Sequence, residues 1–251
     1  MAGSSEIEQA ALNNAIWCDT VCRAHNSPGM FEEATWINAG FTPMFYPNVI
    51  TLGGAEQAAS HQRRVSELTK AGMPNGWTIK DSFQVLELAP LGFKRLFEAR
   101  WIFMEQAPSA YGVGTRGTSW EVITSIIELS AWELAWGGSS SEMKIFPPML
   151  LADENVVILA AYREGQIVAG AIANRAAGVV GISNVFIPKE EGQTLRRSCV
   201  AEAAHCFPGL PLVGYENGEE LTEMLTIGFV ELGPLSIWLN IEGGKDPLQN
   251  I

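Results

Sequence analysis

The feature that most limits what this chain can become is a set of three apolar segments, VVILAAYR, QIVAGAIAN and VVGISNVF, between Val156 and Phe186. Only the short turns Glu164-Gly165 and Arg175 to Gly178 separate them, which is the punctuation of an antiparallel meander. Within the middle segment Ile167, Ala169, Ala171 and Ala173 alternate with Val168, Gly170 and Ile172. Successive strand residues point to opposite faces, so both faces are apolar and helices must cover each. Downstream, Leu195, Cys199 and Ala203 recur at helical spacing up to a Pro208-Gly209 stop. A short strand over Leu210 to Tyr215, a helix over Gly218 to Ile227 and a strand pair over Phe229 to Asn240, bent at Gly233-Pro234, complete the expected order.

The first half reads as a smaller α+β lobe, residues 1–104. A helix is expected from Ile7 to Ala24, a short apolar segment around Trp36, a strand at Val49 to Leu52 stopped by Gly53-Gly54, and a polar helix from Ala55 to Thr69. Trp77 to Leu88 and Phe93 to Met104 read as two strands around a Pro90-Leu91-Gly92 turn. The Gly-, Ser- and Thr-rich stretch EQAPSAYGVGTRGTS marks a linker at residues 105–119, leaving 120–251 as the main domain. Thr118 or Ser119 can cap a following helix with Val122, Ile126, Leu129 and Trp132 or Glu133 on one side. Trp120, Trp132 and Trp136 suit either a core or a substrate-stacking role, and GGSSSE reads as a mobile loop.

Charge narrows the partners. With 28 acidic against 16 basic residues the formal net charge is −12, which offers no basic stripe for nucleic acid or an anionic membrane. The start of the chain lacks the charged and apolar regions of a secretory signal, and Arg163, Glu164, Gln166, Asn174 and Arg175 interrupt the longest apolar stretch, so a soluble cytoplasmic protein is expected. Cys18, Cys22 and His25 stand at helical spacing, but no second Cys/His pair completes a zinc site; no metal is expected, and the thiols read as buried apolar residues. G-x-S-x-G, H-E-x-x-H and Walker motifs are absent, and His25, His61 and His205 are scattered.

The meander, the loop into a helix, and the strand, helix and closing Gly-Phe strand resemble the GNAT superfamily, over roughly the half of the chain from Trp120 to Asn240. Two pieces carry the resemblance. GYENGEELTEMLTIGFVELG is similar to the family's closing signature, with Asn217, Ile227, Gly228 and Phe229 in its places. GVVGISNVFIPKEEGQTLRRS resembles the strand, Pro and phosphate loop before the cofactor-binding helix. The implied fold is α/β, a mostly antiparallel central sheet with helices on both faces; the N-terminal lobe admits reading as a partial copy.

The resemblance also implies an N-acetyltransferase that moves an acetyl group from the co-substrate acetyl-CoA to an amine of a small-molecule or peptide acceptor, with a homodimer as one allowed assembly. In that reading Val185, Phe186 and Ile187 form the strand edge that receives the pantetheine chain, while Lys189, Gly192, Gln193, Thr194 and Asn217 belong to cofactor binding. The family loop is Gln or Arg, two residues, Gly, one residue, then Gly or Ala. Here Lys189, Gly192 and Thr194 fill those places in the better register, and Thr194 and Arg196 stand for glycines in the other. Glu190 and Glu191 put negative charge beside a diphosphate, with Arg196 and Arg197 as counter-charges; the same run also suits an ordinary exposed helix start. Met224 occupies the place of the family's acidic Tyr, so Tyr215 and Glu216 are the nearest substitutes. Asn217 doubles as a helix cap. The alternative is a GNAT-like binding module that has lost acyl transfer.

Overall fold

The computed structural model describes residues 5–74, 76–107, 117–137 and 144–241. The centre of the expected linker, 108–116, and nearly all of the GGSSSE loop lie outside them. In chain order the elements are α1 (Glu6–Ala24), β1 (Met30–Phe31), β2 (Thr35–Ile37), β3 (Val49–Thr51), α2 (Ala58–Ala71), β4 (Thr78–Asp81), β5 (Phe93–Met104), β6 (Ser119–Val122) and α3 (Ile126–Gly137). They continue with β7 (Val156–Arg163), β8 (Gln166–Ala176), β9 (Val179–Phe186), α4 (Gly192–Cys206), β10 (Leu212–Glu216), α5 (Gly218–Ile227) and β11 (Val230–Asn240). Two compact units emerge, and neither is contiguous: one comprises Met1–Trp17 with Trp101–Leu232, the other Cys18–Arg100 with Gly233–Ile251. The divides fall inside α1, β5 and β11, away from the 105–119 stretch that composition marks.

In the first unit the strand order is β10-β9-β8-β7-β6, antiparallel except for β9 and β10, which run parallel. Both meander turns have two successive residues with positive φ, Glu164-Gly165 (50° and 78°) and Ala177-Gly178 (54° and 79°), the backbone that matches strand twist in a two-residue hairpin. Alternation then sorts the faces. Ala171 and Ala173 pack with Cys199, Val200 and Ala203 of α4 in one core, together with Met224 and Ile227 of α5. On the opposite face Gly170 lies against Trp132 of α3, whose indole N–H donates to the Leu159 carbonyl at 2.8 Å. Trp132 is fully buried among Trp136, Phe146 and Phe186, so it is a core residue. The buried Glu133 carboxylate accepts from the Ile145 and Phe146 amides and anchors the segment after α3.

The first half of α1 is held by an amide cluster. Asn13 Nδ2 donates to the carbonyls of Asn174, Ala176 and Val179 at 3.1, 3.2 and 3.3 Å, and Asn174 Nδ2 donates to Asn13 Oδ1 at 3.2 Å. Gly181 lies under both side chains, where a Cβ would collide with their oxygens.

In the second unit the order is β1-β2-β3-β4-β11, with β3 and β4 parallel. Its core joins Val65 and Leu68 of α2 to Ile79, Leu88, Phe93 and Trp238. Asp19 accepts from the Gly29 amide at 2.9 Å and the Trp36 indole at 3.0 Å.

Three sequence expectations are corrected. Trp77 to Leu88 is not one strand of a hairpin: β4 ends at Asp81, whose carboxylate accepts the Leu86 amide at 2.8 Å, and β3 and β11 occupy its two edges. Ser119 does not cap a helix, because Ser119–Val122 pairs antiparallel with β7. β11 runs unbroken through Gly233-Pro234. No helix among the described residues is long and apolar enough to cross a membrane.

Replacing Asn13 with Ala strands three inward carbonyls and the Asn174 amide. Urea unfolding is expected to show a loss of about 1–3 kcal/mol, the cost of buried polar groups left unpaired; an unchanged midpoint would refute the anchoring role.

Candidate functional site

The site begins with one extra residue. Along β8 and β9, Ile172 is opposite Ser183 and Gly170 is opposite Phe186, so two steps on β8 match three on β9. This is a β-bulge at Asn184-Val185, and Asn184 takes φ 52°, a left-handed conformation that Asn tolerates better than most residues. On its other side β9 pairs with β10 only at Val180↔Leu212 and Val213↔Gly181. Beyond those pairs the strands part. A cleft of about 380 Å³ opens, lined on one side by Ile182 to Ile187 and on the other by Tyr215, Glu216, Glu220 and Arg196. Peptide groups released from a parallel ladder at such a split can bind an extended chain.

Of the residues singled out in the sequence, Val185, Phe186, Ile187, Tyr215 and Glu216 are brought together here. Phe186 also packs edge-on to Trp132 with ring centres 5.4 Å apart, so it serves both core and cleft. Tyr215 packs edge-on to Trp101 at 5.4 Å. Consecutive strand residues leave opposite faces, so Glu216 is directed away from that ring pair. Burial pushes the Glu216 carboxyl up to about 7; Arg196 opposes the rise, and Glu220 and Glu223 add to it. Arg196, itself nearly buried, donates to Glu223 at 2.7 Å, which consumes much of its charge.

No protein-family model matches the sequence, and no curated protein does. Solved structures share its shape. A GCN5-related N-acetyltransferase from Kribbella flavida superposes with a TM-score of 0.66 over 97% of this chain and 98% of its own, at 12% identity. One from Sphaerobacter thermophilus gives 0.54 over 94% and 93% at 10% identity. A functionally unknown conserved protein from Staphylococcus epidermidis ATCC 12228 gives 0.58 over 84% and 92% at 13% identity. The chain has the GNAT fold.

The bulge and the parting from β10 leave β9 backbone facing the cleft along Asn184 to Ile187. The start of α4, where the resemblance implies a diphosphate, fits one poorly. Lys189–Glu191 forms a 3-10 turn ahead of α4, in which the Glu191 amide donates to Pro188 at 3.1 Å and the Gly192 amide donates to the Lys189 carbonyl. Gly192 is the first residue of α4 rather than part of a loop, and its open side is filled by Glu223, whose Oε1 lies 2.7 Å from where a Cβ would stand. The glycine thus admits a carboxylate of α5. Gln193 and Thr194 are exposed in the first turn of α4, and Lys189 is exposed before it.

Asn217 is the residue before α5, exposed and with no side-chain cap bond; its carbonyl accepts the Leu221 amide at 3.1 Å. Met224 is buried in the core beneath the cleft. Sequence reasoning placed Arg196 at the phosphates and passed over Asn184, Glu220 and Arg163; an Asn inside an otherwise apolar strand was the available sign of a bulge. Among the described residues no group of three His, Cys, Asp or Glu could hold a metal.

The Glu216 carboxyl titrates higher in the fold than in the unfolded chain, so it contributes stability that is full below about pH 4.5 and is lost as pH rises through about 7. Between pH 4.5 and 8 the wild-type protein is expected to lose on the order of 2 kcal/mol more stability than Glu216→Gln, after allowance for partial exposure. Parallel pH profiles in chemical denaturation would show that Glu216 titrates normally.

Proposed function

We propose that the protein is an N-acyltransferase that moves an acetyl group from acetyl-CoA to the amine of a small-molecule or peptide acceptor. The observation that supports this best is the bulge-driven parting of β9 from β10, with a carboxyl poised near neutral pH at its mouth. A base whose pKa matches the working pH is both available as carboxylate and strong enough to take an ammonium proton. Glu216 takes that proton; the freed nitrogen lone pair attacks the thioester carbonyl; the tetrahedral intermediate collapses with loss of the carbon–sulfur bond; the leaving thiolate takes a proton from Tyr215, and the second proton on the attacking nitrogen passes to the Tyr215 phenolate to leave a neutral amide. Released β9 peptide groups orient the thioester. Buried thiols at Cys18, Cys22 and Cys199, none in a disulfide and with pKa values that burial raises to about 11 or 12, suit a reducing cytoplasm.

A second reading has its own support. Gly192 is closed by Glu223, and core packing holds Met224 where the family's acid would stand, as expected of a GNAT-like binding module without acyl transfer.

Calorimetric titration with acetyl-CoA and CoA, followed by thiol release against a panel of amines, separates the two. The acyltransferase is expected to bind both ligands and release thiol. Glu216→Gln should lower kcat/KM by about 10² to 10⁴ while leaving the acetyl-CoA Kd within about threefold. Heat without thiol release for any amine favours the module; no heat with either ligand sinks the enzyme.

A further inference from the structure

Resting on the acyltransferase reading, the geometry points to a donor held mainly by its acyl-pantetheine arm: a carboxylate of α5 closes the Gly192 side of the α4 start, the two nearest guanidiniums already carry carboxylates, and the 3′-phospho-ADP end of coenzyme A contributes little affinity. A helix start binds phosphate when its first amides and nearby cations are open to the ligand. At this one part of those resources is committed internally, although no side chain caps α4. The Glu191 and Gly192 amides are used by the carbonyls of Pro188 and Lys189. The Glu223 carboxylate covers Gly192 and holds Arg196 at 2.7 Å. Glu191 turns from the helix to Arg163 at the end of β7, making a two-pronged pair at 2.6 and 2.5 Å, and Arg163 also donates to Thr118 Oγ1 at 3.3 and 3.1 Å.

Two cations that could meet a phosphate therefore each carry a carboxylate already. Bidentate guanidinium–carboxylate pairs are the strong and geometrically selective kind, so a phosphate must displace Glu191 to reach Arg163. Exposed Lys189 and Arg197 remain, with Glu190 beside Lys189, and exposed surface pairs contribute little. A polyanion gains little net attraction there. The pantetheine arm has no charge to be repelled, and its amides match the backbone groups that the Asn184 bulge releases.

Calorimetry with acetyl-CoA and with S-acetyl-pantetheine, at two salt concentrations, tests this on the full chain. The expected result is Kd values within about threefold of each other and nearly independent of salt. Glu191→Gln releases Arg163, so acetyl-CoA should tighten about tenfold while S-acetyl-pantetheine stays unchanged. Acetyl-CoA binding more than about tenfold tighter than S-acetyl-pantetheine in the wild-type protein overturns the inference and leaves the acyltransferase standing. An unchanged preference in Glu191→Gln also overturns it. Failure of both ligands to bind overturns the inference together with the acyltransferase.

Discussion

Everything at the site depends on β9 parting from β10 after two register pairs. A parallel pair would ordinarily continue, because each unpaired peptide group at a sheet interior is costly. The bulge at Asn184 and Val185 removes that option by turning the end of β9, still paired to β8 at Phe186, away from β10. Asn184 supplies the positive φ, and Phe186, pinned against Trp132, fixes where the rotated end goes. The cleft is therefore a product of strand geometry, supported by an aromatic core beneath it. Groups held this way need little reorganisation when a ligand enters.

That core in turn needs the meander to be flat enough for close approach. Gly170 lets the Trp132 ring reach β8, and Gly181 lets Asn13 and Asn174 meet over β9. Both glycines are places where another chain segment occupies the volume of a side chain. The Asn13 amide satisfies three carbonyls of the hairpin at once, so a polar contact between helix and hairpin stabilises a sheet whose other face is almost wholly apolar.

The sequence showed the meander clearly, since VVILAAYR, the middle run and VVGISNVF coincide closely with β7, β8 and β9, and glycine punctuation bounded α5. β6 was missed because Ser119–Val122 is largely exposed and owes its strand character to β7, forty residues or so downstream. The supposed hairpin of Trp77 and Phe93 failed for the complementary reason: β4 pairs with β11, far along the chain, and local alternation cannot report a distant partner. At the site, Phe186 and Glu216 were legible as the ends of strands. Glu223 was not, since it looked like any solvated residue of an amphipathic helix.

Glu223 nevertheless joins the two halves of the site. Its carboxylate closes the side of Gly192 that a diphosphate backbone approach would use, and it engages Arg196. Arg196 is the cation that lowers the Glu216 pKa, while Glu223 itself raises it. Tying Arg196 down keeps burial the dominant influence on Glu216 and holds that carboxyl near neutrality, where a base for an ammonium proton is effective. The closed side of Gly192 and the raised Glu216 pKa thus share one side chain. An Arg196 free to meet a phosphate would change the charge balance around Glu216, so in the proposed acyltransferase donor recognition and proton transfer would constrain each other through a single side chain of α5.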